Sequence, residues 1–285
     1  MVIKFMNILE KFKKHFVYKE QGNKKISFPG CVKVIDPAVT LIKCQELMRN
    51  KIPGAYLRFG DGDVNLLEGH SELLQNANEL LKNEMKEAFN LFGPGIIKSL
   101  PIHSIKFGLM PGMSPGMHQG DDQWAIELLN RCYPYFIGNL IYSAVALHYV
   151  AVFNQELAIN FLKFLKSKTT IFVGNKNVSA EIINKLFGNA IHIKTPEKQS
   201  YLEIDRIEQE IKYELNIRKN EYVIIVMAMG CSGRVLAKRL HLTSNNIFIF
   251  DFGSLLDAFC GWSTRAWIQI AQEQSTDFRN LLNSI

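Results

Sequence analysis

Runs of continuous apolar residues alternate with amphipathic stretches along most of this chain. Ala55, Tyr56, Leu57 and Phe59 mark a short buried strand over 55–60. Residues 66–92 follow, with Leu73, Leu80, Leu81, Met85 and Phe89 at helical spacing, which predicts a helix. The pattern then predicts a strand over 96–102, a helix over 121–132, a strand over 135–142 and a helix over 155–166. The C-terminal half is more regular, with strands expected at 169–174, 190–193, 222–229 and 247–251. Helical patterns follow them, the clearest at 201–217 and 232–242. Strands that lack polar alternation are buried on both faces. Such strands, separated by helices of roughly 10–15 residues, pair in parallel. The expected fold is therefore α/β, a doubly wound and mainly parallel sheet.

Two segments depart from that rhythm. Residues 1–25 carry seven lysines against Glu10 and Glu20, and Phe5, Ile8, Leu9, Phe12 and Phe16 recur opposite the lysines. This suits a helix on an anionic membrane surface, or one packed on the protein's own core or at a homo-oligomer contact. We divide the chain into a basic amphipathic arm, 1–34, and a single domain, 35–285. The second departure is 108–120, with four glycines, two prolines and Met110, Met113 and Met117. A segment of this composition is expected to be a mobile loop that orders over a ligand.

Composition narrows the class. A chain of 285 residues with 47% hydrophobic content can bury a large core. Cys31, Cys44, Cys132, Cys231 and Cys260 show no paired spacing, so a reducing cytosol is expected rather than a disulfide framework. No apolar run approaches the roughly 20 residues that span a bilayer. Any membrane contact is therefore expected to be peripheral, on the inner face, through residues 1–25. The net charge of +6 is concentrated in the arm, and no basic stripe with interleaved aromatics argues for nucleic acid.

Candidate chemistry collects at strand ends. Arg58-Phe59-Gly60-Asp61-Gly62-Asp63 closes an apolar strand with two acids around a glycine. Gly60 and Gly62 allow a sharp turn that presents Asp61 and Asp63 to one point, where a hard divalent cation would relieve their repulsion. The plain alternative is a solvated turn. Gly230-Cys231-Ser232-Gly233-Arg234 joins a buried strand to a helix start, a place where backbone amides meet phosphate. A tight turn with Ser232 as N-cap explains it equally. Lys176 follows another strand and could meet a phosphate or stay solvated. Asp121, Asp122, Asp257 and His118 are candidate bases.

Taken together, these motifs resemble those of a known family. The 58–63 stretch looks like the Arg-Phe/Tyr-Gly-Asp-Gly-Glu signature of bacterial GT-D fold glycosyltransferases, first described as a domain of unknown function. The Gly230-x-x-Gly233 turn and the closing Ile-Phe-Asp-Phe-Gly-Ser strand are similar too, and the resemblance spans about 35–270. It implies a nucleotide-sugar donor such as UDP-glucose, a glycan or glycoconjugate acceptor, and manganese or magnesium on Asp61 and Asp63. Arg58, Gly60, Gly62, Lys176, Gly230, Ser232, Gly233 and Arg234 are then the candidate donor-binding residues. The second acid is one methylene shorter than in the family, and Ser254 stands where relatives often carry histidine. Two other classes remain open: a haloacid-dehalogenase-like phosphatase with Asp61 as nucleophile, and a non-catalytic subunit of a polysaccharide assembly complex.

Overall fold

The structure, a computed structural model, describes residues 19–21, 24–26, 33–100, 130–135, 140–273 and 275–285. The amphipathic run of the arm, the 108–120 segment, His118, Asp121 and Asp122 lie outside the described residues. Strands β1 (Lys19–Gln21) and β2 (Lys24–Ile26) form a separate antiparallel pair. Everything else is built on one parallel sheet.

That sheet starts with β3 (Lys33–Val34). Helix α1 (Pro37–Arg49) begins where Asp36 accepts the N–H groups of Ala38 and Val39, with proline at its first position. Next come β4 (Gly54–Arg58), α2 (Asp61–Leu67), α3 (Glu79–Asn90), β5 (Ile96–Leu100) and β6 (Leu140–Ser143). Helices α4 (Ala146–Phe153) and α5 (Gln155–Lys166) lead to β7 (Thr170–Asn175), α6 (Ala180–Phe187) and β8 (Ile191–Thr195). Helix α7 (Ile204–Ile217), β9 (Val223–Ala228), α8 (Ser232–Thr243) and β10 (Ile247–Asp251) complete the alternation. Three short helices close the chain: α9 (Leu255–Phe259), α10 (Ala266–Glu273) and α11 (Phe278–Asn283).

The sheet order is β3-β6-β5-β4-β10-β9-β7-β8, and every pairing is parallel. Successive strand residues face opposite sides. Ala55, Leu57, Val223, Ile225, Ile247 and Ile249 join one core with α3, α7 and α8. Tyr56, Ile224, Val226, Phe248 and Phe250 join a second core with α1, α4, α5, α6 and the closing helices. The chain leaving β4 packs on the first face, through Val64, Leu66 and Leu81. The chain leaving its neighbour β10 packs on the second, through Leu255, Leu256 and Phe278. The two departures diverge and open a crevice beyond the strand ends, where doubly wound sheets place their ligands.

The expected helix over 66–92 is broken. Gly69 adopts φ +86, the chain runs irregularly to residue 78, and Asn78 caps α3 by accepting the Leu81 N–H at 2.8 Å. Leu73 and Leu80, which fitted the helical period, are 73% and 64% exposed. The expected strand over 135–142 is instead a 3-10 turn at Tyr133–Tyr135 and the strand β6. Among the described residues, no helix is long and apolar enough to cross a membrane, and the four described cysteines are free.

Candidate active site

A cavity of about 1010 Å³ occupies the crevice. Its floor is the turn after β4. Gly60 precedes α2 in an extended conformation, and its N–H donates to Asp63 Oδ2 at 2.6 Å. The helix thus begins at Asp61, so Asp61 and Asp63 occupy its first and third positions. Residues two apart on a helix point to different sides. Asp61 is exposed, while Asp63 is buried to 1% exposure. Both line the cavity, Asp63 from its buried floor and Asp61 from its exposed edge. Neither glycine uses a positive φ. Gly62 is closely packed: a Cβ there would lie 3.3 Å from Cys231 Sγ, a tight contact, and 3.5 Å from Glu72, an ordinary one.

Burial pushes the Asp63 carboxyl up to about 6, although Arg234, the Gly60 amide and Cys231 oppose the rise. Its Oδ1 accepts no hydrogen bond, and Arg234 Nε stands 3.4 Å away. Arg234 is the hub of the floor. Nε and Nη2 donate to the Arg58 carbonyl and Nη1 to the Gly230 carbonyl. Nη1 also lies 3.1 Å from Asp251 Oδ2. Burial disfavours this cation, yet Asp251 and Asp63 outweigh that and hold Arg234 charged. Arg58 completes the set, with Nε donating to Ala144 O and Nη1 at 3.6 Å from Asp251 Oδ1. Gly253 lets the Arg58 guanidinium pass: it adopts φ +63, and a Cβ there would sit 1.4 Å from Nη1.

The remaining sequence candidates are unequal. Gly230 and Ser232 line the cavity. The Ser232 hydroxyl donates back to Met229 O at 3.2 Å, and Cys231, not Ser232, holds the N-cap position. Gly233 lies off the cavity wall, with its amide on Gly230 O and its Cβ position 3.1 Å from Met229 Cγ. Side chains there would enter the core, so the glycine serves packing. Lys176 is exposed and off the wall, which Asn175 and Asn177 line instead. Asp257 lines the cavity, and the Thr264 hydroxyl donates to its Oδ2. Burial raises its carboxyl, against the pull of Thr264 and Arg265.

Three wall segments were not singled out from the sequence. The 72–75 stretch lines the cavity because α2 and α3 are separate helices. It is clasped to the loop after β8: Gln75 Nε2 and the Asn76 N–H both donate to Gln199 Oε1, and the Tyr201 N–H donates to Gln75 Oε1. Glu72 Oε1 is buried there without a hydrogen-bond partner. Glu197 and Lys198 belong to the second segment, and Trp262, Thr264 and Arg265 to the third. The turn formers Gly69, Ser71, Asn76 and Asn78 were the available signal for the first. The other two carry no motif.

The cavity is acidic. Asp61, Asp63, Glu72, Glu197, Asp251 and Asp257 face four cations, Arg58, Lys198, Arg234 and Arg265. Two of those cations are locked onto Asp63 and Asp251. Excess carboxylate and two buried oxygens without hydrogen bonds suit a hard divalent cation. No three His, Cys, Asp or Glu side chains among the described residues already form a metal cluster. One or two carboxylates, completed by water and substrate phosphate, is nonetheless how magnesium-type ions are commonly held, and Asp61 with Asp63 supplies that much.

No protein-family model and no curated protein matches the sequence. Solved structures do share its fold. A structure of domain of unknown function 1792 superposes with a TM-score of 0.63 at 19% identity, covering 81% of each chain. A second, in which this domain is described as having a distinct glycosyltransferase fold, gives 0.59 at 19% identity over 78% of each chain. A glycosyltransferase (DUF1792) from Streptococcus sanguinis gives 0.61 at 16% identity, covering 81% of this chain and 84% of that one. The chain therefore has that α/β glycosyltransferase fold, as its motifs suggested.

Proposed function

We propose that this chain is a glycosyltransferase that moves a hexosyl group from a UDP-sugar such as UDP-glucose to a glycan or glycoconjugate hydroxyl. The setting would be the synthesis of a bacterial surface polysaccharide or glycoprotein. One observation carries the reading: in a glycosyltransferase fold, the switch-point cavity is walled by excess carboxylate. A diphosphate is repelled by such a wall unless a cation lies between them. Asp61 and Asp63 would hold manganese or magnesium, which when bound neutralises charge on the leaving diphosphate.

The side chains divide the remaining work. Arg58, Arg234 and Asp251 fix the floor and keep Asp63 in place. Transfer breaks the bond from the anomeric carbon to the diphosphate oxygen and forms one to the acceptor oxygen, whose proton must go to a base. Among the described residues Asp257 suits that role, because burial raises its basicity and Thr264 orients it. Asp121 and Asp122 remain candidates for the same role. A phosphatase of the haloacid-dehalogenase type would need a later strand ending in an acidic pair. Among the described strands only β10 ends in an acid, Asp251, and two arginines engage it.

The test is a panel of UDP- and other nucleotide sugars, incubated with and without manganese, reading release of the nucleoside diphosphate. We expect one donor to turn over with metal and to fall to background in chelator. No turnover of any donor, or full turnover in chelator, would contradict the reading.

A further inference from the structure

The segment after β10 gathers four cavity-lining groups within nine residues: Asp257, Trp262, Thr264 and Arg265. We infer that this segment is a pyranose subsite for an acidic acceptor, with Trp262 as the platform under the sugar ring and Arg265 reading an anionic substituent. The inference rests on the transferase reading and names its acceptor class.

Four observations carry it. Trp262 is half-buried, packs against the second core and lines the cavity. A sugar ring offers C–H groups on its face and hydroxyls at its edge, which matches a cavity wall that carries both an indole and a carboxylate. The segment that carries both is fixed: the Trp262 backbone N–H donates to the Asp257 backbone carbonyl at 2.8 Å, and the Thr264 hydroxyl donates to the Asp257 carboxylate. Pre-set geometry of this kind reduces the entropy lost when a ligand binds. Finally, Arg265 is exposed, lies close enough to stabilise the Asp257 charge, and makes no ion pair among the described residues. An exposed guanidinium that no carboxylate among the described residues engages in an ion pair is suited to bidentate contact with a carboxylate or phosphate on the sugar.

The experiment titrates the full chain with methyl β-glucoside and methyl β-glucuronide by saturation-transfer NMR. UDP with manganese is titrated separately by calorimetry. A charge-assisted contact predicts that the glucuronide binds about tenfold tighter than the glucoside. Arg265→Gln should bring the glucuronide down to the glucoside level. Trp262→Ala should weaken both pyranosides by about tenfold or more, and Trp262→Phe should restore most of the loss. UDP affinity should stay within about twofold in every variant. Failure of both pyranosides to bind, or equal binding by wild type and Trp262→Ala, would overturn the subsite. Selective loss of UDP binding in Trp262→Ala would also overturn it, by assigning the ring to the nucleobase. Absence of UDP binding in wild type would instead defeat the transferase reading, while the pyranoside titrations would still decide the subsite.

Discussion

Arg234 and Arg265 line the same cavity with the same guanidinium, but their surroundings are opposite. Arg234 donates to two backbone carbonyls and faces two buried carboxylates. Arg265 is exposed and makes no ion pair among the described residues. The contrast extends to the acids: Asp63 and Asp251 are buried and engaged, whereas Asp61 is exposed. The arginines of the floor are scaffold, balanced by buried carboxylates, and the Asp63 Oδ1 without a hydrogen bond and the outer positions are where a ligand can still gain from a charge. Position in a cavity alone therefore does not identify a binding residue.

Substitutions should separate the two regions. The largest effect is expected at Arg234. Arg234→Met leaves Asp63 and Asp251 buried without their shared cation, which should cost about 3–5 kcal/mol of stability. Arg234→Lys should recover little, because one ammonium cannot replace the forked contacts to Arg58 O and Gly230 O. Urea unfolding measures both. Unchanged midpoints would show that the floor is not scaffold.

Next in size is a pH effect. Asp63 has its folded carboxyl raised from 3.8 to about 6, chiefly by burial. A raised folded pKa favours the protonated native state. The stability from that proton is complete below the unfolded value and is lost as pH rises through about 6. The shift corresponds to about 3 kcal/mol. Metal-free wild type should therefore lose stability from pH 4 to 6.5 relative to Asp63→Asn, whose curve should be flatter there. Parallel curves for the two proteins would contradict this.

Gly253→Ala should have a smaller cost. The added methyl must displace the Arg58 guanidinium and adopt φ +63, a strain of about 1–3 kcal/mol. Pairing it with Arg58→Ala should recover part of that loss in a double-mutant cycle. Simple additivity would show that the clash is not the cause. The smallest effect on stability belongs to Asp61→Asn, expected within about 0.5 kcal/mol of wild type. Its metal affinity should nevertheless fall by about tenfold to a hundredfold.

The sheet was legible because its strands are apolar without alternation, as in Val223–Ala228 and Ile247–Asp251. Only a strand buried on both faces reads that way, so pairing and layers followed. The Asp61–Asp63 turn was legible as an acidic strand end but not in its depth. Its spacing shows two acids, and only the fold shows that Asp63 is buried while Asp61 is exposed. Arg234 carried the same difficulty: a sequence displays the cation and not the carboxylates folded onto it. The 72–75 wall was hidden by Leu73, whose spacing continues the helical period although its side chain is exposed. Trp262 and Arg265 belong to no motif, and only the turn that ties Trp262 to Asp257 brings them to the cavity.

The most direct test of the cation-dependent donor site is calorimetry of UDP on the full chain, with manganese and in chelator, for wild type and Asp61→Asn. We expect UDP to bind wild type with manganese, and to bind at least about tenfold more weakly both in chelator and in the folded Asp61→Asn protein. UDP binding of equal strength in all three conditions would contradict a cation held at this turn.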